Sequence, residues 1–356
     1  MQTKMYQRVS KLAGFLPVIF FFSGFIWDAL TIGRSVATSD LLIFTGYLFA
    51  AGMLLYIMSR PSFILVDETT IPKRLHWFFT TGWPYLALQF LYGSLLSALF
   101  ILYFKSANHA LAFLTSILLG VLLIANEFLE NAYRRFTLSW ALFGLCAILL
   151  FNFLLPFLFG SVHPIWFYLS TILGASLVIY LYSKTPQNLG SILPVWLIAG
   201  VLMLAYAADM IPPVPLVTRD VAIAYDVKKE DGNYFIIQQR GPIWQFWRKT
   251  SNHLKVVPGQ RLYCFSPIFA PAGLEVRLYH RWQLYSKKNG WQTQSRIGFD
   301  LNGGRNNGYR GYTYKQNISL GEWRVRIETE NEKTIAVQSF TVSEETGTPR
   351  HIRYKY

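Results

Sequence analysis

The sequence predicts an α-helical membrane bundle of about seven transmembrane helices, followed by an all-β, immunoglobulin-like sandwich. Three observations predict it. Seven apolar runs of spanning length crowd the first 211 residues, basic residues concentrate in alternate loops between them, and past a proline-rich junction the hydrophobic period changes from helical to two.

A helix that crosses a bilayer needs about 20 mostly apolar residues. The runs at roughly 12–32, 41–58, 85–104, 110–129, 137–160, 164–182 and 191–211 qualify; the fifth reads TLSWALFGLCAILLFNFLLPFLFG. So many leave little polar chain for a water-facing surface. The first run follows Lys4, Arg8 and Lys11, as a signal peptide would, but it is long and lacks a small-x-small cleavage site, so it is read as a span. With the N-terminus inside, the inner segments 1–11, 59–84, 130–136 and 183–190 carry nine basic residues and the outer loops only Arg34 and Lys105. That asymmetry predicts a cytoplasmic N-terminus, and an odd number of spans then delivers the C-terminal part outside, to the periplasm of a bacterial inner membrane. Within 59–84, Lys73, Arg74, Trp77, Phe78 and Phe79 read as a basic and aromatic interfacial anchor.

The expected organisation is a helical membrane domain at 1–210, a proline-rich linker at 211–217, an extracytoplasmic β-sandwich at 218–343 and a basic C-terminal tail at 344–356. Of the formal charge of +14, residues 1–217 carry +4 and residues 218–356 carry +10. The two cysteines, Cys146 and Cys264, lie in different parts and give no disulfide framework.

An ionisable side chain at the centre of a span costs about 2.5–3.5 kcal/mol on insertion scales, so each one calls for a reading. Asp28 in the first span and Asp209 near the end of the seventh both fall toward the outer side. They read either as a proton or cation relay or as helix-end carboxylates reaching interfacial water. In ANEFLENAYRRF, Glu127, Glu130, Asn131 and Arg134 share one helix face, which reads as a self-paired helix terminus or as a polar substrate site.

Beyond IPPVPLVTRD the pattern alternates. In LEVRLYHRWQLY (274–285), Val276, Leu278, His280, Trp282 and Leu284 point one way, while Arg277, Tyr279, Arg281, Gln283 and Tyr285 point the other. His280 reads as a core histidine beside Trp282. Short strands follow at 295–301, 311–318, 321–330 and 334–342, the last two forming a hairpin across ENEK, with earlier strands in AIAYDV and RLYCFSPIF. The glycine- and arginine-rich run at 301–315 contains no Gly-Lys-Ser/Thr and opens no helix, so it is not a phosphate loop; its Asn302-Gly303-Gly304 reads as a tight reversal between strands. If 274–285 neighbours 321–330, Arg277 and Arg281 join Arg324 and Arg326 on one outward face, with Arg305 and Arg310 on loops reaching toward it and Tyr279 and Tyr309 supplying stacking surfaces. Guanidiniums grip carboxylate or phosphate as a fork, so this patch is a candidate site for an acidic glycan, a lipid headgroup or an envelope protein. The alternative is a solvated basic face that keeps strand edges apart.

FAPAGLEVRLYHRW, GGRNNGYRGYTYK, GEWRVRIET and FTV, with the IPPVPL junction before them, resemble a bacterial domain of unknown function, family 2914 of that series, found after multi-helix membrane regions. The resemblance spans about 211–343. It implies an inner-membrane protein with an extracytoplasmic β domain and supplies no reaction, cofactor or established site.

No zinc-ligand spacing, His-Glu-x-x-His or Gly-x-Ser-x-Gly motif occurs, and the six histidines are scattered, so no metal, cofactor or catalytic residue is assigned. The sequence therefore points to a non-enzymatic envelope protein in the lipid bilayer that binds an acidic ligand or partner and no nucleic acid. Two alternatives stay open: a transporter or channel using Asp28, Glu127 and Asp209, and a membrane enzyme acting on lipid-linked substrates.

Overall fold

A computed structural model describes residues 38–60, 83–106, 136–185, 189–218, 221–231, 233–239, 251–270, 274–302, 309–344 and 351–355. The chain forms two compact units, a helical one that ends at Ile211 and a β-rich one made chiefly of Pro212–Tyr356.

Five helices are described: α1 (Thr38–Met58), α2 (Trp83–Ser106), α3 (Thr137–Phe159), α4 (Pro164–Ser183) and α5 (Leu193–Ala207). They coincide with five of the seven expected spans; the runs at 12–32 and 110–129 and the interfacial residues 73–79 lie outside the described residues. Three helices, Ser39–Met58, Thr137–Phe159 and Pro164–Ser183, are long and apolar enough to cross a membrane. The count of seven is therefore not carried by the structure. Helix α5 shows why: its 15 residues reach about 22 Å at 1.5 Å each, short of a hydrocarbon core of about 30 Å. Proline 194 opens that helix, and Asp209 closes it with a φ of 60°, while the Met210 amide donates to the Ala205 carbonyl and the Asp209 amide to that of Tyr206.

Helix α3 is the central one, apolar on all sides and packed against α1, α4 and α5. Gly174 lets α4 approach it closely, because a Cβ there would stand 2.8 Å from the Ile148 backbone. Tyr92 ties α2 to the same helix, its hydroxyl donating to the Ser139 carbonyl at 2.9 Å. Outward positions stay apolar too: Leu42, Phe49, Leu197 and Leu204 are all more than half exposed, a surface that lipid tolerates and water does not.

The β unit is built on two facing sheets. In the first, β6 (Leu262–Phe269) pairs along one edge with β1 (Val217–Thr218) and β2 (Ala222–Ala224) and along the other with β9 (Tyr309–Lys315). The second has the order β5 (His253–Val256), β11 (Thr334–Glu344), β10 (Gly321–Thr329), β7 (Glu275–Ser286), β8 (Gly290–Asn302), with β5 parallel to β11 and the other pairs antiparallel. This is the strand order of an immunoglobulin-like sandwich. A third sheet, β12 (His351–Lys355), β4 (Asn233–Gln239), β3 (Asp226–Glu230), lies outside the first, where Ile236 packs with Ala222, Ala224 and Phe265.

Alternation puts Leu278, Trp282, Trp323, Val325, Ile327 and Phe340 of the second sheet into a core shared with Ile223, Leu262, Cys264 and Ile268 of the first. His280 stands between the sheets with no exposure. Its Nε2 lies 2.8 Å from the Ser266 hydroxyl of β6 and its Nδ1 2.8 Å from the Thr313 hydroxyl of β9. One ring nitrogen donates and the other accepts, so a neutral imidazole satisfies both contacts, and burial pushes its pKa down to about 3. Gly311 of β9 also serves this junction: a Cβ there would stand 2.3 Å from the ring of Phe299 on β8.

One expectation is corrected. The strands flanking the expected tight reversal do not pair with each other: β8 pairs with β7 in the second sheet and β9 with β6 in the first. Within 344–356, Glu344 and residues 351–355 are described and lie in strands. Strand β11 runs to Glu344, and β12 pairs with β4, holding Arg353 against Glu230 and over the Phe235 ring at 4.0 Å.

The His280 contacts predict a pH dependence. Its folded pKa is near 3, against about 6.5 when unfolded. The unfolded chain therefore takes up a proton first, and this contribution is complete above about pH 6.5 and lost as pH falls toward 3. Tryptophan fluorescence melts of the detergent-solubilised chain should show the midpoint falling between pH 6.5 and 5. His280→Gln should flatten that slope; an unchanged slope in the variant would assign it elsewhere.

Candidate functional site

The outward face of β7, β8 and β10 carries the expected arginines, but it also carries their counter-ion. Glu328, with no exposure, accepts at one carboxylate oxygen from Arg281 Nε at 3.0 Å and from Arg296 Nε at 2.8 Å. Arg326 Nε lies 3.3 Å from the other oxygen, within ion-pair range. Arg281 also reaches Glu332 at 2.6 Å, and Arg296 donates to the Glu330 carbonyl at 2.9 Å while stacking 3.7 Å above the Tyr279 ring. Burial lowers the Arg281 pKa, but the hydrogen bonds and charges of Glu332 and Glu328 more than offset it and the net shift is upward. The hydrogen bond from Arg281 is the main reason the Glu332 carboxyl titrates below its ordinary value. Three guanidiniums on one buried carboxylate form a network that holds the three strands together.

The remaining expected residues scatter. Arg277 is 60% exposed and stands 3.8 Å from Asp300, a weak surface pair. Arg324 donates from Nε to Gln283 at 2.7 Å and lies over Trp291 at 4.4 Å; burial, then the Arg326 charge, lowers its pKa. Tyr309 and Arg310 lie on β9 in the other sheet rather than on a loop beside the arginine face, and Tyr309 packs against the core. Arg305, Asp28, Glu127 and Glu130 lie outside the described residues, and Asp209 occupies the turn that ends α5. Among the polar side chains buried within the described helices, Asn152 of α3 stands beside the Tyr103 hydroxyl of α2, and Ser97, Ser139, Ser170 and Thr171 are buried as well.

A second cluster stands on the outer face of the first sheet. In β9, Arg310, Tyr312 and Tyr314 share one parity; in β6, Tyr263 and Phe265 do the same, with Tyr263 opposite Tyr314 and Phe265 opposite Tyr312. Ring centroids lie 5.7 Å apart for Tyr263–Tyr314, 6.4 Å for Tyr263–Tyr312 and 6.3 Å for Tyr312–Tyr234 of β4. Tyr312 and Tyr314 remain 45% and 48% exposed. Cations flank the row, with Arg261 5.1 Å from the Tyr314 ring, Arg310 5.6 Å and Lys229 5.9 Å from the Tyr234 ring. The Arg-x-Tyr-x-Tyr of 310–314 and the Arg-x-Tyr-x-Phe of 261–265 are visible in the sequence, but their adjacency depends on strand register.

Residues 275–342 match the family model described as protein of unknown function (DUF2914). A comparison with curated proteins finds no match. Among solved structures, the chain is similar to an immunoglobulin-like protein from Pseudomonas aeruginosa (12% identity, 35% of this chain and 96% of that one, TM-score 0.21). It is also similar to a β-glucosidase from Listeria innocua (12% identity, 31% of this chain, TM-score 0.19), of which it spans only 16%. A third likeness is to the alkylpurine DNA glycosylase AlkC of Pseudomonas fluorescens (9% identity, 85% of this chain and 99% of that one, TM-score 0.23).

The two kinds of arginine separate in a stability measurement. Arg296→Ala removes a charged hydrogen bond to Glu328 and should cost about 2 kcal/mol in chemical denaturation. Arg277→Ala should stay within about 0.5 kcal/mol, as surface changes do. Equal losses would contradict the assignment.

Proposed function

We propose that this chain is a non-enzymatic envelope protein, anchored in the bacterial inner membrane by its helices, that presents its β unit outside the cytosol to bind an acidic glycan. The row formed by Tyr234, Tyr263, Tyr312 and Tyr314 beside Arg261, Arg310 and Lys229 carries this reading. Tyrosine offers a flat apolar ring with a polar tip, suited to the C–H face of a sugar and to its hydroxyls. The flanking cations suit carboxylates on the same chain, and the basic balance of residues 218–356 favours encounter with a polyanion. The cluster of Arg281, Arg296 and Arg326 on β7, β8 and β10 is assigned a structural role, since Glu328 and Glu332 engage its guanidiniums.

The test is a titration of the full chain in nanodiscs with oligogalacturonate and, as the neutral control, cello-oligosaccharide. The acidic oligomer should bind more tightly. Tyr312→Ala with Tyr314→Ala should weaken it by at least about tenfold, about 1.4 kcal/mol, while Arg277→Ala leaves it unchanged. No binding of either oligomer, or equal binding by the tyrosine variant, would overturn the proposal.

A further inference from the structure

A slot of about 500 Å³ lies between α1, α3 and α4. Its walls are almost wholly apolar: Leu48 and Met53 from α1, Phe143 and Phe151 from α3, Leu177 and Leu181 from α4. Gly52 makes the space, because a Cβ there would stand 3.1 Å from the Phe143 ring and 3.3 Å from Leu181. The hydroxyl of Thr45 donates to the Leu41 carbonyl at 2.7 Å, so this wall offers water little reason to enter. The slot opens sideways, where the lining residues Phe49 and Met53 are 70% and 49% exposed.

One end differs from the rest. Lys184, just past the last residue of α4, lines the slot directly with its ammonium 5.6 Å from the Tyr180 ring. Arg60, two residues past the end of α1, lies 4.7 Å over the ring of Tyr56, another lining residue, and donates to its hydroxyl at 2.9 Å. Both cations are exposed, and none of the described residues lining the slot is acidic. An apolar channel with a cationic mouth between helices complements an amphiphile with an anionic head, whereas a zwitterionic lipid brings its own cation beside Lys184 and Arg60 and gains less. Each cation also complements the carbonyl end of its helix, which keeps the pair at this end of the slot.

We infer that this slot binds an acyl chain of an anionic phospholipid, with the headgroup phosphate between Lys184 and Arg60. The inference rests on the helical unit lying in a bilayer and is independent of the glycan surface. The basic residues that set the predicted topology include these two, so the headgroup sits on the cytoplasmic side.

Native mass spectrometry of the full chain, released from micelles doped equally with phosphatidylglycerol and phosphatidylcholine, tests it. Phosphatidylglycerol should be retained in preference by about thirtyfold, the scale that two such cations supply. The double variant Arg60→Gln, Lys184→Gln should lose that preference while melting normally in neutral lipid. Gly52→Val, which fills the slot, should lose the retained lipid altogether; if that variant does not fold, the charge variant decides alone. Equal retention of the two lipids, or a preference that survives the charge variant, means ordinary annular contact and overturns the inference. Oligogalacturonate binding measured on the same preparations separates this outcome from failure of the glycan reading.

Discussion

The carboxylate of Glu328 governs what the arginine-rich strands of the β unit can do. It is fully buried, yet it lies on the outward-facing parity of β10, under Arg281, Arg296 and Arg326. A buried charge is tolerated only when it is paired and hydrogen-bonded, and three guanidiniums from three neighbouring strands achieve that here. The same contacts occupy the guanidiniums that would otherwise grip an external anion. The density of arginine on this face thus reflects cohesion of the sheet.

The other side of the second sheet depends on a different polar device. His280 reaches from β7 into the facing sheet and meets one hydroxyl on β6 and one on β9. A neutral imidazole between two hydroxyls fixes the relative register of the sheets with directional contacts that the surrounding Trp282, Phe299 and Val325 do not provide. Burial likewise pushes the Cys264 thiol upward, which leaves it an inert apolar filler. Tyr263, Tyr312 and Tyr314 of the outer tyrosine row sit on β6 and β9, the strands that His280 holds, while Tyr234 joins them from β4.

Much of this was legible in the amino-acid pattern, for reasons that can be named. Strict alternation in 274–285 identified β7 and its inward residues, because a period of two admits one assignment of faces once Leu278 and Trp282 must be buried. The same parity puts Glu328 with Arg324 and Arg326, so the counter-ion was readable in GEWRVRIET. Arg296 was not, since its place beside Arg281 depends on the pairing of β8 with β7 and on the bulge at Trp282/Gln283. Nor could the sequence tell that 309–315 crosses to the other sheet: the glycines of the preceding run suit a hairpin and an inter-sheet crossing equally well. In the helical unit, hydropathy located the apolar segments, while their ends were decided locally by Pro194 and by the Asp209 turn.

The central claim is that Arg281 and Glu328 act on each other and not on an outside ligand. A double-mutant cycle in chemical denaturation, with Arg281→Gln, Glu328→Gln and both together, measures that coupling directly. The account predicts an interaction energy of about 2 kcal/mol, within the range for residues sharing one buried network. Losses that add to within about 0.5 kcal/mol would contradict it.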